Sequence, residues 1–135
     1  MGKSRRGRAS QSGFTLVELM IVISIIAILL SVAVPNFIQS LKHANESVLK
    51  QDLFSLRSSI DNYTMDKAKA PQSLDELVSA GYLRKIPVDP VTGQQDWVPV
   101  QDDSLFSADQ TEPGISDVHS ASDKIASDGT AYSSW

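Results

Sequence analysis

The 135-residue chain has no cysteine, so no disulfide closes a loop and no thiolate serves as nucleophile or metal ligand. Histidine is almost as scarce, with only His43 and His119, far apart in sequence. No G-x-S-x-G elbow, phosphate-binding loop or dinucleotide fingerprint occurs. The paired acids Asp75-Glu76 and Asp102-Asp103 read as a helix start and a loop, not as a matched acid and base. The chain therefore offers no support for a catalytic role. An excess of basic charge is also missing: 12 Lys and Arg face 16 Asp and Glu, a net charge of −4. That balance argues against nucleic-acid binding, which needs a basic footprint. There is no internal repeat, and the length allows one modest domain. Without disulfides, that domain needs another staple or support from its neighbours.

What the chain does have is one long apolar run. Residues 13–35 read GFTLVELMIVISIIAILLSVAVP, long enough to cross a hydrocarbon core of about 30 Å as one helix. A tail carrying Lys3, Arg5, Arg6 and Arg8 precedes it. These four cations favour a cytoplasmic N-terminus and a translocated C-terminus. Removing residues 1–13 would leave 8 cations against 16 acids, a balance of −8. Two plainer readings compete. An ordinary secretory signal would be cut near Ser31-Val32-Ala33, and a plain single-span anchor would not be cut at all. Glu18 at the head of the apolar core, and the length of that core, stand against the first.

The motif Gly13-Phe14-Thr15-Leu16-Val17-Glu18 resembles the class III signal sequence of type IV pilins and type II secretion pseudopilins. The resemblance implies cleavage after Gly13 by a prepilin peptidase and N-methylation of the new first residue, Phe14. It also implies that Glu18 pairs with the N-terminal amine of an adjacent subunit during assembly. The physical reading agrees with that role. An ionised carboxylate costs about 2.5–3.5 kcal/mol at the centre of a membrane helix, and less near the interface. Cleavage would create a positive partner for it, and a neighbour staggered along the axis could meet it. The plainer alternative is a glutamate that snorkels to the interface. Pro35 predicts a loosened turn inside a helix that continues beyond it; such families often carry a proline here. The alternative is a helix that stops at the membrane surface.

From residue 36 to about 66 the pattern becomes amphipathic. Leu49, Leu53, Leu56, Ile60 and Tyr63 recur at steps of four and three, which places them on one face. Leu41, Ala44 and Val48 extend the stripe backwards, and Lys42, Glu46, Lys50, Asp52, Arg57 and Asp61 occupy the rest. A single helix from Phe14 to Asp66 would be about 80 Å long. Ser73 and Glu76 fit a capping box opening a short helix over 73–80, with Gly81 as its stop. Pro87, Asp89-Pro90 and Thr92-Gly93 mark a tightly turned connection. The stretch 73–93, SLDELVSAGYLRKIPVDPVTG, is a second and independent resemblance to the pseudopilins.

Residues 94–135 carry weaker signals. Trp97 to Val100 predicts a brief strand demoted to an edge by Pro99, Leu105-Phe106 another, and Ile115 to His119 a third. The loops between them hold Asp117, Ser120, Ser122, Asp123, Ser127 and Asp128, with Gly114 and Gly129 permitting sharp turns. Such a loop is either solvated or a site for a hard cation, which wants six to eight oxygens. The resemblance to the major pseudopilins implies calcium here, with Asp117, Ser120, Asp123 and Asp128 as ligands.

The expected fold is α+β and pilin-like, a long N-terminal helix packed on a short helix and a small antiparallel sheet. Residues 1–13 form a cleaved leader, 14–35 a membrane and assembly half, and 36–135 an exposed domain. The resemblance implies a structural subunit of a type II secretion pseudopilus, a helical homo-oligomer. Its implied partners are prepilin peptidase, minor pseudopilins and an inner-membrane assembly platform. Its implied place is the bacterial inner membrane, single-pass, with the C-terminal domain in the periplasm. A type IV pilus major or minor pilin, and a single-span anchored binding module, are the alternatives.

Overall fold

The computed structural model describes residues 13–102 and 112–135. The chain divides into two compact units, Met1–Ile38 and Gln39–Trp135. One helix, α1 (Leu16–Lys67), belongs to both. In the first unit its aliphatic side chains are exposed on every face, and it is long and apolar enough to cross a membrane by length and composition. Its hydroxyls are folded back onto their own backbone: Ser24 Oγ donates to Met20 O and Ser31 Oγ to Ile28 O, both at 2.6 Å. Both hydroxyls are thereby satisfied within the helix, as a hydrocarbon surrounding demands. Pro35 withholds the N–H that the carbonyl of Ser31 would otherwise accept, yet the helix runs on through it.

In the second unit the stripe on α1 is the centre of the core. Leu49, Leu53, Leu56, Ile60 and Tyr63 are all buried and cluster with Leu77, Trp97, Ile115, Val118, Ala126 and Tyr132. Helix α2 (Leu74–Ser79) brings Leu77 to that cluster. Ser73 caps it by accepting from Glu76 N at 3.3 Å. The reciprocal half of the capping box differs from expectation. The Glu76 carboxylate accepts from Gln72 N at 2.8 Å and from the Tyr63 hydroxyl, so it ties α2 to α1 instead of closing on Ser73. The stop at Gly81 is as read: Tyr82 N reaches Leu77 O, Gly81 N reaches Val78 O, and Gly81 has φ +85°.

Asp89 organises the turn that follows. It is fully buried, and its Oδ1 accepts from Val91 N at 2.7 Å and Thr92 N at 3.3 Å. Trp97, whose Nε1 donates to Pro87 O at 2.8 Å, leads into β1 (Val98–Asp102). This strand pairs antiparallel with β2 (Gly114–His119), Pro99 lying opposite Val118. β1 is exposed along its length, whereas β2 sends Ile115 and Val118 into the core. The strand expected at Leu105-Phe106 lies outside the described residues. Gly114 serves close packing rather than the sharp turn expected of it. A Cβ there would stand 2.4 Å from Ala70 Cβ and 2.9 Å from Ala70 O.

Leu56→Ala should leave a cavity and cost about 2–5 kcal/mol, read as a lower urea midpoint. Gly114→Ala should cost about 1–3 kcal/mol through overpacking against the Ala70 backbone. A Gly114→Ala protein as stable as wild type would show that the approach to Ala70 is not tight.

Candidate functional site

The start of α1 explains the geometry of the N-terminal motif. Thr15 caps the helix: its Oγ1 accepts from Glu18 N at 3.1 Å, and its carbonyl from Leu19 N at 3.1 Å. Thr15-x-x-Glu18 ahead of an apolar run is a capping-box pattern, the sequence signal that marks this helix start. The cap places Glu18 in the first turn, where the amide end of the helix favours negative charge. Among the described residues Glu18 has no ion-pair partner, and its side chain is exposed amid aliphatic neighbours. Phe14 is 85% exposed. A Cβ on Gly13 would meet nothing within 4 Å among the described residues, so the local fold places no steric demand for glycine there.

The other candidate residues lie along β2 and the segment after it. Asp117 is held by Arg57, whose Nε donates to Asp117 Oδ1 at 2.6 Å, and Val118 N donates to the same oxygen at 2.7 Å. Arg57 Nη2 also donates to Val118 O and Trp135 O, at 3.0 and 2.9 Å. Ser120 donates its hydroxyl to the buried Asp89. Asp128 Oδ1 accepts from Thr130 N and Oγ1, at 2.9 and 2.6 Å, which closes a local turn. Asp123 is exposed. Among the described residues no group of three or more Asp, Glu, His or Cys side chains could hold a metal ion. Asp117, Asp123 and Asp128 therefore do not come together as a three-carboxylate group.

A row of α1 side chains holds the segment instead. Glu46, buried, accepts at Oε1 from Ser127 N at 2.7 Å, Ser127 Oγ at 2.9 Å and Tyr132 Oη at 2.9 Å. His43 Nδ1 lies 3.5 Å from its other oxygen. Lys42 Nζ donates to Ile125 O at 3.0 Å, and Lys50 Nζ sits 4.4 Å from the centre of the Trp135 ring. The periodicity places Lys42, Glu46 and Lys50 off the apolar stripe. Their spacing, Lys42, Glu46, Lys50 and then Arg57, is one of adjoining helical rows, the only signal that could have grouped them. Burial pushes the Glu46 carboxyl up, but the donors from Ser127 and Tyr132 and the charge of His43 outweigh it and hold it below 4.5. Burial and the bond to Glu46 push the Tyr132 phenol up to about 12.

Residues 8–34 match the family profile described as the prokaryotic N-terminal methylation motif. The chain is 33% identical to the type II secretion system core protein G of Klebsiella michiganensis, over 82% of this chain and 92% of that relative. It is 36% identical to the core protein G of Klebsiella pneumoniae, over 59% and 69% of the two chains. For the core protein G of Pseudomonas aeruginosa the identity is 35%, over 62% and 70%. The chain belongs to the type II secretion system core protein G family. No solved structure matches it. In this core protein G family member the methylation profile spans Gly13, Phe14, Glu18 and nearly all of the apolar run.

The pH dependence of the second unit follows from its carboxylates. The Tyr63 hydroxyl and the Gln72 N–H hold Glu76 below 4.5. For Asp117, burial raises the carboxyl, but Val118 N–H and Arg57 outweigh it and leave it below 3.8. Each depressed group binds its proton more weakly in the folded state. Its stabilisation is full above the ordinary value and is lost as pH falls through the folded one. Tyr63 and Tyr132, both raised to about 12 from 10.0, have the opposite sign and lose theirs as pH rises across that interval. Urea midpoints against pH should form a plateau that falls below about 4.5 and above about 10. A midpoint that rose on acidification would contradict these hydrogen bonds.

Proposed function

We propose that the chain is the major structural subunit of a type II secretion pseudopilus. In this reading, prepilin peptidase cuts after Gly13 and methylates Phe14. The observation that carries the proposal is Glu18: one carboxylate, without an ion-pair partner among the described residues, in the first turn of an apolar helix exposed on every face. Such a charge is costly in a membrane unless paired. Cleavage at Gly13 places a new ammonium group on Phe14, within about a turn of Glu18 on the same chain and accessible to Glu18 of a staggered neighbour. Pairing between neighbours removes the cost only on assembly, so it selects register while leaving the single subunit soluble in the bilayer.

The membrane half of α1 anchors the subunit once in the inner membrane, with residues 39–135 in the periplasm, as the leader cations favour. Its role is structural rather than catalytic. Assembly joins it to further copies, to minor pseudopilins and to an inner-membrane platform, and the pseudopilus drives export across the outer membrane. Pro35, which leaves the carbonyl of Ser31 without its helical donor, is the point where α1 can loosen as copies pack.

Intact mass from hosts with and without prepilin peptidase tests the processing step. The expected product starts at Phe14 with one added methyl, only when the peptidase is present, and Gly13→Ser abolishes it. Glu18→Val should insert and be processed normally yet yield roughly tenfold less cross-linked filament, the effect of losing about 1.4 kcal/mol per contact. Normal filaments from Glu18→Val would overturn the pairing.

A further inference from the structure

The segment 120–131 has little to bury. Ala126 is packed in the core, whereas Ile125 is 57% exposed, and Ser, Asp and Gly make up most of the remainder. Apolar burial alone does not offset the entropy of ordering such a loop, so polar anchors must hold it. Two kinds of anchor exist, and they ask opposite things of the loop. A bound divalent cation gathers carboxylate and carbonyl oxygens. A carboxylate gathers N–H and O–H groups.

Here the loop presents donors. Ser127 N–H, the Ser127 hydroxyl and the Tyr132 hydroxyl converge on one oxygen of Glu46, at 2.7, 2.9 and 2.9 Å. Where carbonyl oxygens of the same region take positive charge, α1 supplies it, from Lys42 to Ile125 O and from Arg57 to Trp135 O. The acids that would feed a cation face elsewhere: Asp117 is on Arg57 and Asp128 on its own Thr130. Among the described residues of this segment the remaining exposed carboxylate, Asp123, is too little for a site that needs six oxygens or more.

We infer that Glu46 is the anchor that closes the C-terminal segment onto α1, and that this closure uses the protein's own charges in place of a divalent cation. The helix makes the anchor rigid, so one side chain positions Ser127 and Tyr132 together. Tyr132 in turn packs edge-on against Trp135, ring centres 5.2 Å apart.

The full chain in detergent micelles, melted while tryptophan fluorescence is followed, tests this. Wild type should melt at the same temperature in millimolar EDTA and in millimolar calcium chloride. Glu46→Ala should melt roughly 5–15 °C lower in both, and trypsin should then cut after Lys124 in the native protein. Glu46→Gln, which keeps an acceptor but not the charge, should recover part of the loss. If Glu46→Ala does not fold, Tyr132→Phe carries the test, with an expected drop of about 2–8 °C that calcium does not restore. A wild-type melt lowered by EDTA or raised by calcium would overturn the inference. So would Glu46→Ala or Tyr132→Phe proteins with unchanged melting and unchanged tryptic cutting.

Discussion

Burial of one stripe on α1 is the constraint on which the second unit depends. Leu49, Leu53, Leu56, Ile60 and Tyr63 meet Leu77 from α2, Trp97 ahead of β1, and Ile115 and Val118 from β2. Each of those partners sits on a short element that could not bury its apolar side without the helix. With only two strands among the described residues, the sheet is too small to stand alone in water. The helix is the platform, and the rest of the unit is laid on it.

No cysteine is present to close the loops, and the polar row beside the stripe does comparable work. Arg57 reaches Asp117, Val118 and Trp135, Glu46 reaches Ser127 and Tyr132, and Lys42 reaches Ile125. These bonds join positions more than fifty residues apart, so they act like cross-links on the chain's entropy while remaining reversible. Asp89 adds a further tie through Ser120, joining the 87–93 turn to the C-terminal segment. A half-exposed ion pair such as Arg57–Asp117 contributes little alone, since water screens it. Its value lies in the network of backbone acceptors it holds in register.

The first unit follows a different rule. Its side chains are aliphatic on all faces, and its two serine hydroxyls bond to their own backbone, leaving Glu18 as the polar feature that the helix does not satisfy internally. An apolar cylinder with one acidic end and a capped start suits packing among copies, where lipid supplies no directional contact. Thr15 fixes where that acid sits. Its cap sets the first turn, so the position of Glu18 relative to Thr15 is held by helix geometry.

The local features were legible because they obey short-range rules. The steps of four and three from Leu49 to Tyr63, the αL stop at Gly81 and the turn around Asp89 each rest on a few neighbouring residues. The motif from Gly13 to Glu18 is equally local, so it was visible without the fold. What the tertiary structure alone decided is where the polar side chains go. Glu46 and Arg57 read as solvent-facing because periodicity sorts residues by hydropathy and says nothing of partners 60 or 86 positions away. Asp117 and Asp128 are close in sequence, but only the fold shows their partners, Arg57 for one and Thr130 for the other. Gly114 read as a turn residue because only packing reveals that Ala70 occupies the space of its missing Cβ. Hydrophobic burial is written in periodic spacing, whereas hydrogen-bond partnership depends on distances that exist only once the chain has folded.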